Sequence, residues 1–558
     1  MPEQVSGKLE GTDRTMGKSC VIDIETDGLK PTKIHCLVVL DTETGKERVF
    51  ESGGFVQTYL DTFTTIIAHN GCSYDFPVLK KLWGVDIPFE KQVDTVVMSR
   101  LFMPDREKGH SLEAWGERLG FPKAKYEGGW EEYSEEMLAY CKQDTRVCAR
   151  VYSVLLEDQK NFSEKSVRDE HRMQILAEQV QDHGFRFNVP AALDLYNSLM
   201  AEQRDISKQM QEVFPPTAVQ LKTKIKYIPF NPASRKQIGE RLIPLGWKPK
   251  AYTETGLPKV DEDALEACDI PEAKVLARYF MLQKRTGMLD SWIKAAHSDN
   301  RVRCTYHTLG AVTNRMSCSS PNLQQIPSLR KPYGLECRQL WKAESGNKLI
   351  DTDAQGLELR VLAHYVNDPS YTAEVLDGDI HTANQQMAGL ETRDQAKTFI
   401  YALLYGAGDA KIGTVVGGSA KDGKRLRDRF LANLPAFNRF QRAVVSKAES
   451  EGVLKAIDGR VLRVRHPHAA VNTLIQGSSA VLMKKWFLYT DYLLNKKDAR
   501  AAIVAMVHDE MVIETSMSTV ELSSECVKLG ISQVNKSYGL RCPLGCDVKV
   551  GNNWSEIH

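Results

Sequence analysis

The chain has 558 residues, 42% of them hydrophobic and 26% charged, and a net charge of +1. That length exceeds one core and suggests roughly three or four domains, while the near-neutral charge excludes a polycation and confines any nucleic-acid surface to local basic patches. The 12 scattered cysteines form no CxxC pair, and no apolar run is long enough to span a membrane, so a zinc framework, a disulfide scaffold and a membrane anchor are not expected.

The first 19 residues lack an apolar segment, which argues against a secretory signal and for a cytoplasmic protein with free thiols. Residues 20–25 and 34–40 read as strands, and 112–119 and 135–150 as helices, an α/β alternation running from about 17 to 160. A long amphipathic helix should run from Ser163 to about Asp182, with Gly184 as its stop. Residues 185–300 read as mostly helical, with Pro271 opening a helix towards Lys284 and Arg285, and 222–226 read as an exposed loop. Beyond 300, strand-like segments flank a helical region at about 365–475.

In Cys20-Val21-Ile22-Asp23-Ile24-Glu25 the side chains alternate, so Asp23 and Glu25 share a face with Cα atoms roughly 6.6 Å apart. Unpaired carboxylates this close repel, which raises a pKa or demands a cation. A pair of divalent metals would relieve the repulsion and activate a water against a phosphodiester. Tyr74-Asp75 follows His69-Asn70, and Tyr140 and Asp144 stand one helical turn apart.

Near the C-terminus, Leu349 to Asp353 reads as a strand leading into a helix at 355–360, which leaves Asp353 at the junction. The apolar run Ala501–Val507 ends in His508-Asp509-Glu510 and resumes at 511–513, a buried hairpin with acids at its tip that calls for a cation. Between these acids, Arg393, Lys397, Tyr401 and Tyr405 recur every four residues along a stripe roughly 18 Å long. Two cations suit a triphosphate tail, and two aromatics suit a base or sugar.

The N-terminal set resembles the DEDD-type 3′–5′ proofreading exonucleases that carry tyrosine in their last motif. The segments at 353–360, 393–406 and 508–510 resemble motifs A, B and C of family A DNA polymerases, the family of bacterial DNA polymerase I. Thr313-Asn314-Arg315, Pro321-Asn322-Leu323, Asp379-Ile380-His381, Asn472 and Gln476 add to the match. The longer runs, including Gly551-Asn552-Asn553-Trp554, are more like the replicative enzymes of T-odd bacteriophages. The resemblance implies a multi-domain α/β protein: an RNase H-like exonuclease domain at 17–163 behind a tail at 1–16, then a right-hand polymerase with thumb at 164–300, palm at 301–363 and 476–558, and fingers at 364–475. No 5′-nuclease domain is expected ahead of it.

The same resemblance implies that Asp23, Glu25, Asp75 and Asp144 hold metals for trimming while Tyr140 orients the water. Asp353 and Asp509 would hold two Mg²⁺ ions for synthesis, with Mn²⁺ able to substitute. Arg393, Lys397 and His381 would clamp the triphosphate; Lys397 either donates a proton to the leaving pyrophosphate or acts by charge alone. Glu358, with Tyr405 beneath it, would crowd the sugar 2′-position, and Tyr401 would sense the 3′-hydroxyl. Arg315, Asn472, Gln476 and His508 would face the primer-template, read by its minor groove, and Lys284 and Arg285 would grip its phosphates. Primer-template DNA and dNTPs are the implied partners, with a replicative helicase-primase and a single-strand-binding protein beyond them. The chain is expected to act as a monomer. The segment 185–300 is too short for a thioredoxin-binding insertion, so no such processivity factor is expected. Asp351 is an additional acid where relatives have a small or apolar residue: a spare ligand, an outer group or a bystander. A single-subunit RNA polymerase, a silent DNA-binding scaffold and a trimming nuclease with a decayed polymerase half are the competing readings.

Overall fold

A computed structural model describes residues 18–222 and 224–558; the expected tail at 1–16 and Thr223 lie outside the described residues. The N-terminal layer is a five-stranded mixed sheet in the order 47–50, 34–41, 19–26, 65–68, 92–94. Ser19–Thr26 is central, antiparallel to Ile34–Asp41 and parallel to Thr65–Ala68. Its alternation explains both faces: Cys20, Ile22 and Ile24 enter one apolar cluster, while Asp23 and Glu25 point to the other side. The helix Glu135–Gln159, capped by Ser134, packs on that side.

The helix Glu164–His183 begins on Ser163, whose hydroxyl accepts from Ser166 N–H at 3.0 Å. It ends at Gly184, where φ is +68° and a side chain would crowd the Val302 carbonyl. This helix joins the two halves. Arg168 donates to the Gln92 and Phe89 carbonyls, and Asp94 N–H donates to His171 Nε2 at 2.8 Å. Towards the other half, Glu170 is fully buried between Arg460 and Lys484, and Asp169 pairs with Lys485 at 2.7 Å. Arg460 also pairs with Asp458, so three acids meet three cations. Such a set holds only when complete, because a buried ion stripped of its partner costs several kcal/mol, about 3–5.

Two long helices, Val189–Val213 and Pro271–Ala295, pack together, with Pro271 at the first helical position and Arg278 gripping Glu202 through two nitrogens at 2.7 and 3.0 Å. Between them the segment expected as loop at 222–226 is partly strand, since Thr217–Gln220 and Ile225–Ile228 pair antiparallel. The β-branched and aromatic residues of Ile225–Ile228 take the ladder, leaving only the turn irregular.

The second sheet is antiparallel in the order 501–507, 510–516, 347–354, 546–551. Asn347–Ala354 lies inside it and packs against the helix Val520–Tyr538, while Ala470–Lys496, an unbroken 27-residue helix, packs against Ala501–Val507. Two expected boundaries, at 363/364 and 475/476, fall within continuous helices, Leu357–Val366 and Ala470–Lys496. The helical region 365–475 is interrupted by a short hairpin at 453–463. Every cysteine is free. No helix of the described residues is long and apolar enough to cross a membrane.

Two candidate active sites

The first site gathers on the central N-terminal strand. Asp23 and Glu25 share its outer face, and Asp75 reaches under it to accept from Ile24 N–H at 3.2 Å. Asp144 faces them from the helix Glu135–Gln159, one turn beyond Tyr140. Its Oδ2 pairs with Lys123 Nζ at 2.6 Å, while its buried Oδ1 has no hydrogen-bond partner. Lys123 also lies 4.4 Å over the Tyr140 ring, which Tyr126 and Trp130 flank.

The electrostatics follow from burial. Desolvation, then Asp75, Glu25 and Asp144, push Asp23 well above the usual carboxylate range. Glu25 rises to about 8 through burial and the charge of Asp144, and Asp75 to about 7 through burial. Burial raises Asp144 against the opposing pull of Lys123. Four acids with one cation among them, and one carboxylate oxygen orphaned, fit a divalent-metal pocket.

The second site lies at the end of the second sheet. Ala354 N–H donates to the Asp509 carbonyl at 3.0 Å, which brings the strand end carrying Asp353 against the hairpin turn carrying Asp509. The turn requires His508 at φ +51°. Both acids line a cavity of about 350 Å³ together with Arg315, Glu358, Tyr401, Tyr405, Lys484 and His508. Partial desolvation, then Asp509, Glu510 and Asp547, raise Asp353 to about 6, and burial raises Asp509. Neither acid is in an ion pair among the described residues, so this donor set also fits divalent metals.

Glu358 anchors the cavity wall, accepting from Arg315 and, at 2.9 Å, from the Tyr405 hydroxyl. Tyr405 closes the helix Arg393–Leu404, which opens with a capping box from Thr392 to Gln395. The Tyr401 ring centroid lies 6.1 Å from that of Tyr405 and 6.5 Å from that of His381. Lys397 and Arg393 are exposed further along; Arg393 Nε pairs with Asp379 at 2.8 Å, and both cations lower the pKa of His381 beyond what burial does. Asn472 and Gln476 are half-buried on Ala470–Lys496 and do not line the cavity.

Asp351 is buried on the sheet beside Glu510, its Oδ1 without a hydrogen-bond partner. Burial and Glu510 raise it to about 9. Lys284 is exposed, but Arg285 is not. Arg285 turns inward and donates to the Pro332 carbonyl at 3.0 Å, so it cannot grip phosphate as expected. Neighbours on one helix point about 100° apart, so one can be buried while the next is exposed, and the motif gave no sign of which was inside. Sequence reasoning also missed Lys123, Asp379 and Lys484. Only Asp379 lay within a quoted motif; the other two reach their sites through tertiary packing.

Two acid sets on these two folds define a class. Residues 198–556 match DNA polymerase family A and residues 20–156 the RNase_H superfamily, and the chain belongs to DNA polymerase family A. Its relatives include the DNA-directed DNA polymerases of Enterobacteria phage T3 and Escherichia phage T7, each 31% identical over 96% of this chain and 100% of the relative. DNA polymerase I of Pseudomonas aeruginosa is 28% identical over 59% of this chain and 39% of its own. The fold is similar to the POL domain of Pol1 from M. smegmatis, solved in complex with DNA primer-template and dNTP: TM-score 0.80 at 19% identity, covering 97% of this chain and 96% of that one.

Proposed function

We propose that the protein is a primer-dependent, template-directed DNA polymerase of phage-replication type, which adds deoxynucleotides at the Asp353–Asp509 cavity and proofreads 3′ ends at the Asp23–Glu25–Asp75–Asp144 pocket. The observation that carries this is that Asp353 and Asp509 line one cavity together with Glu358, Tyr401 and Tyr405. Asp353 and Asp509 would hold two Mg²⁺ ions, and the four N-terminal acids a second pair. Bound there, the metals supply Lewis-acid activation of a hydroxyl or water and neutralise charge building on a phosphate.

The chain's own groups do the rest. Glu358, fixed by Arg315 and Tyr405, closes the space beside the sugar and favours a deoxyribose. Arg393, Lys397 and His381 receive the triphosphate; Tyr401 stands where a 3′-hydroxyl would be sensed. Asn472, Gln476, Arg315 and His508 meet the duplex, and Lys284 its backbone. Tyr140 orients the attacking water in the trimming site. The domain reading follows: exonuclease at 17–163, thumb at 164–300, a palm in two parts and fingers between them. The enzyme is expected to lack a thioredoxin-binding insertion; the alignments with the phage relatives run over 707 positions, more than the 558 residues of this chain, so the relatives carry residues with no counterpart here.

Primer extension tests the reading. With Mg²⁺ and dNTPs a matched primer should lengthen, and without dNTPs a mismatched 3′ end should be trimmed faster than a matched one. Equal incorporation of rNTPs and dNTPs would move the assignment to an RNA polymerase.

A further inference from the structure

The trimming pocket contains a group its proposed chemistry does not use. Cys141 follows Tyr140 and precedes Asp144 by three positions, so it lies on the helix face that carries Asp144. It is fully buried, and its thiol donates to the Asp23 carbonyl at 3.4 Å. The Cys141 sulfur and carboxylate oxygens of Asp23 and Glu25 all lie within 4.8 Å of one another. Opposite them, the orphaned Oδ1 belongs to Asp144, which is 4% exposed and whose charge acts on both Asp23 and Glu25. Three donors within one ion's reach, with an unpartnered buried carboxylate whose charge acts on two of them, make a set suited to a cation.

The identity of the donors selects the cation. Oxygen alone suits Mg²⁺, whereas a thiolate favours softer ions. Ligand atoms around one tetrahedral zinc stand about 3.5 Å apart, a contraction that side-chain rotation supplies. The cavity around Asp353 and Asp509, by contrast, has no cysteine in its lining.

We propose that the exonuclease pocket is a mixed oxygen–sulfur site in which Cys141 joins Asp23 and Glu25 in holding a thiophilic divalent cation, Zn²⁺ or Cd²⁺. As the sulfur–metal bond forms, the thiol loses its hydrogen bond to the Asp23 carbonyl and its proton passes to water. The ion then displaces Mg²⁺ and arrests trimming, while synthesis at the cysteine-free cavity continues. The proposal rests on the exonuclease reading of this pocket.

The test uses the full chain, reduced with a phosphine, and titrates Cd²⁺ while following the ultraviolet thiolate-to-cadmium band. Cys20 is the control: it is buried on the same strand, on the face turned away from Asp23 and Glu25, and is not one of the three donors. The wild type and Cys20→Ser should show the band, and Cys141→Ser should lack it. In parallel, the Zn²⁺ concentration that half-inhibits degradation of single-stranded DNA should rise in Cys141→Ser by at least about the tenfold that loss of an outer partner costs a metal site. Primer extension by each sample reports that it is folded. A band absent from the wild type, or retained in Cys141→Ser, overturns the inference. If the wild type fails to degrade DNA with Mg²⁺ alone, the exonuclease reading falls instead.

Discussion

The two acid sites bear the same repulsion in opposite ways. In the N-terminal pocket four carboxylates are drawn together, and the protein supplies its own cation, Lys123, against Asp144. In the C-terminal cavity neither Asp353 nor Asp509 is in an ion pair among the described residues, because Arg315 is held by Glu358 and Lys484 by Glu170, and Asp353 stays open to solvent. A buried acid cluster must be neutralised by a cation or a proton, whereas acids reached by solvent are screened by water. On the proposed reading the first pocket would have a paired lysine to displace on loading metal, and the second would not.

The largest effect tests whether the sites are separate. Asp353→Ala should lower primer extension by about three orders of magnitude, the scale on which electrostatic stabilisation of a transition state is lost with one group, and leave trimming intact. Asp23→Ala with Glu25→Ala should do the converse. If either change removes both activities, the partition is wrong. Next, Tyr401→Phe should disfavour dideoxynucleotides against deoxynucleotides by at least about tenfold in competition, since the tyrosine hydroxyl that could stand in for a missing 3′-hydroxyl is gone and a polar partner is left unpaired. Equal incorporation by both proteins would remove Tyr401 from the sensing role.

Smaller effects sharpen the contrast. Lys123→Met removes the resident cation, so Mn²⁺ followed by electron paramagnetic resonance should bind the first pocket about tenfold more tightly, the equivalent of one pKa unit. Unchanged binding would show that Lys123 does not compete. The smallest effect is on stability. Glu25 near 8 and Asp75 near 7 bind protons more tightly folded than unfolded. The unfolded chain therefore releases protons first, and stability must fall as pH rises. In EDTA the Tm should fall between about pH 5 and pH 8, and Mg²⁺ should cancel the fall. A Tm that rose with pH would contradict the burial of these acids.

Much of this was legible because local rules carried it. The strand bearing Asp23 and Glu25, the Ser163 and Gly184 ends of the linking helix and the hairpin around Asp509 all rest on alternation or capping that short windows contain. What was illegible depends on distant packing. Lys123 reaches Asp144 across 21 positions, Lys484 meets Glu170 across 314, and Arg285 turns inward because Pro332 offers a carbonyl there. Thr217–Ile228 was missed as a hairpin because its lysines masked the strand alternation of Ile225 and Tyr227.

The meeting of Glu170 with Arg460 and Lys484 has a practical outcome for anyone who divides this enzyme. Starting the chain beyond Gly184 would discard Asp169 and Glu170 together and strand three positive groups with Asp458 alone among these acids. Silencing the trimming activity by point substitution leaves that junction whole; a truncation that takes the linking helix Glu164–His183 away with the nuclease domain does not. That helix is thus inherited as scaffolding even where the nuclease chemistry is unwanted.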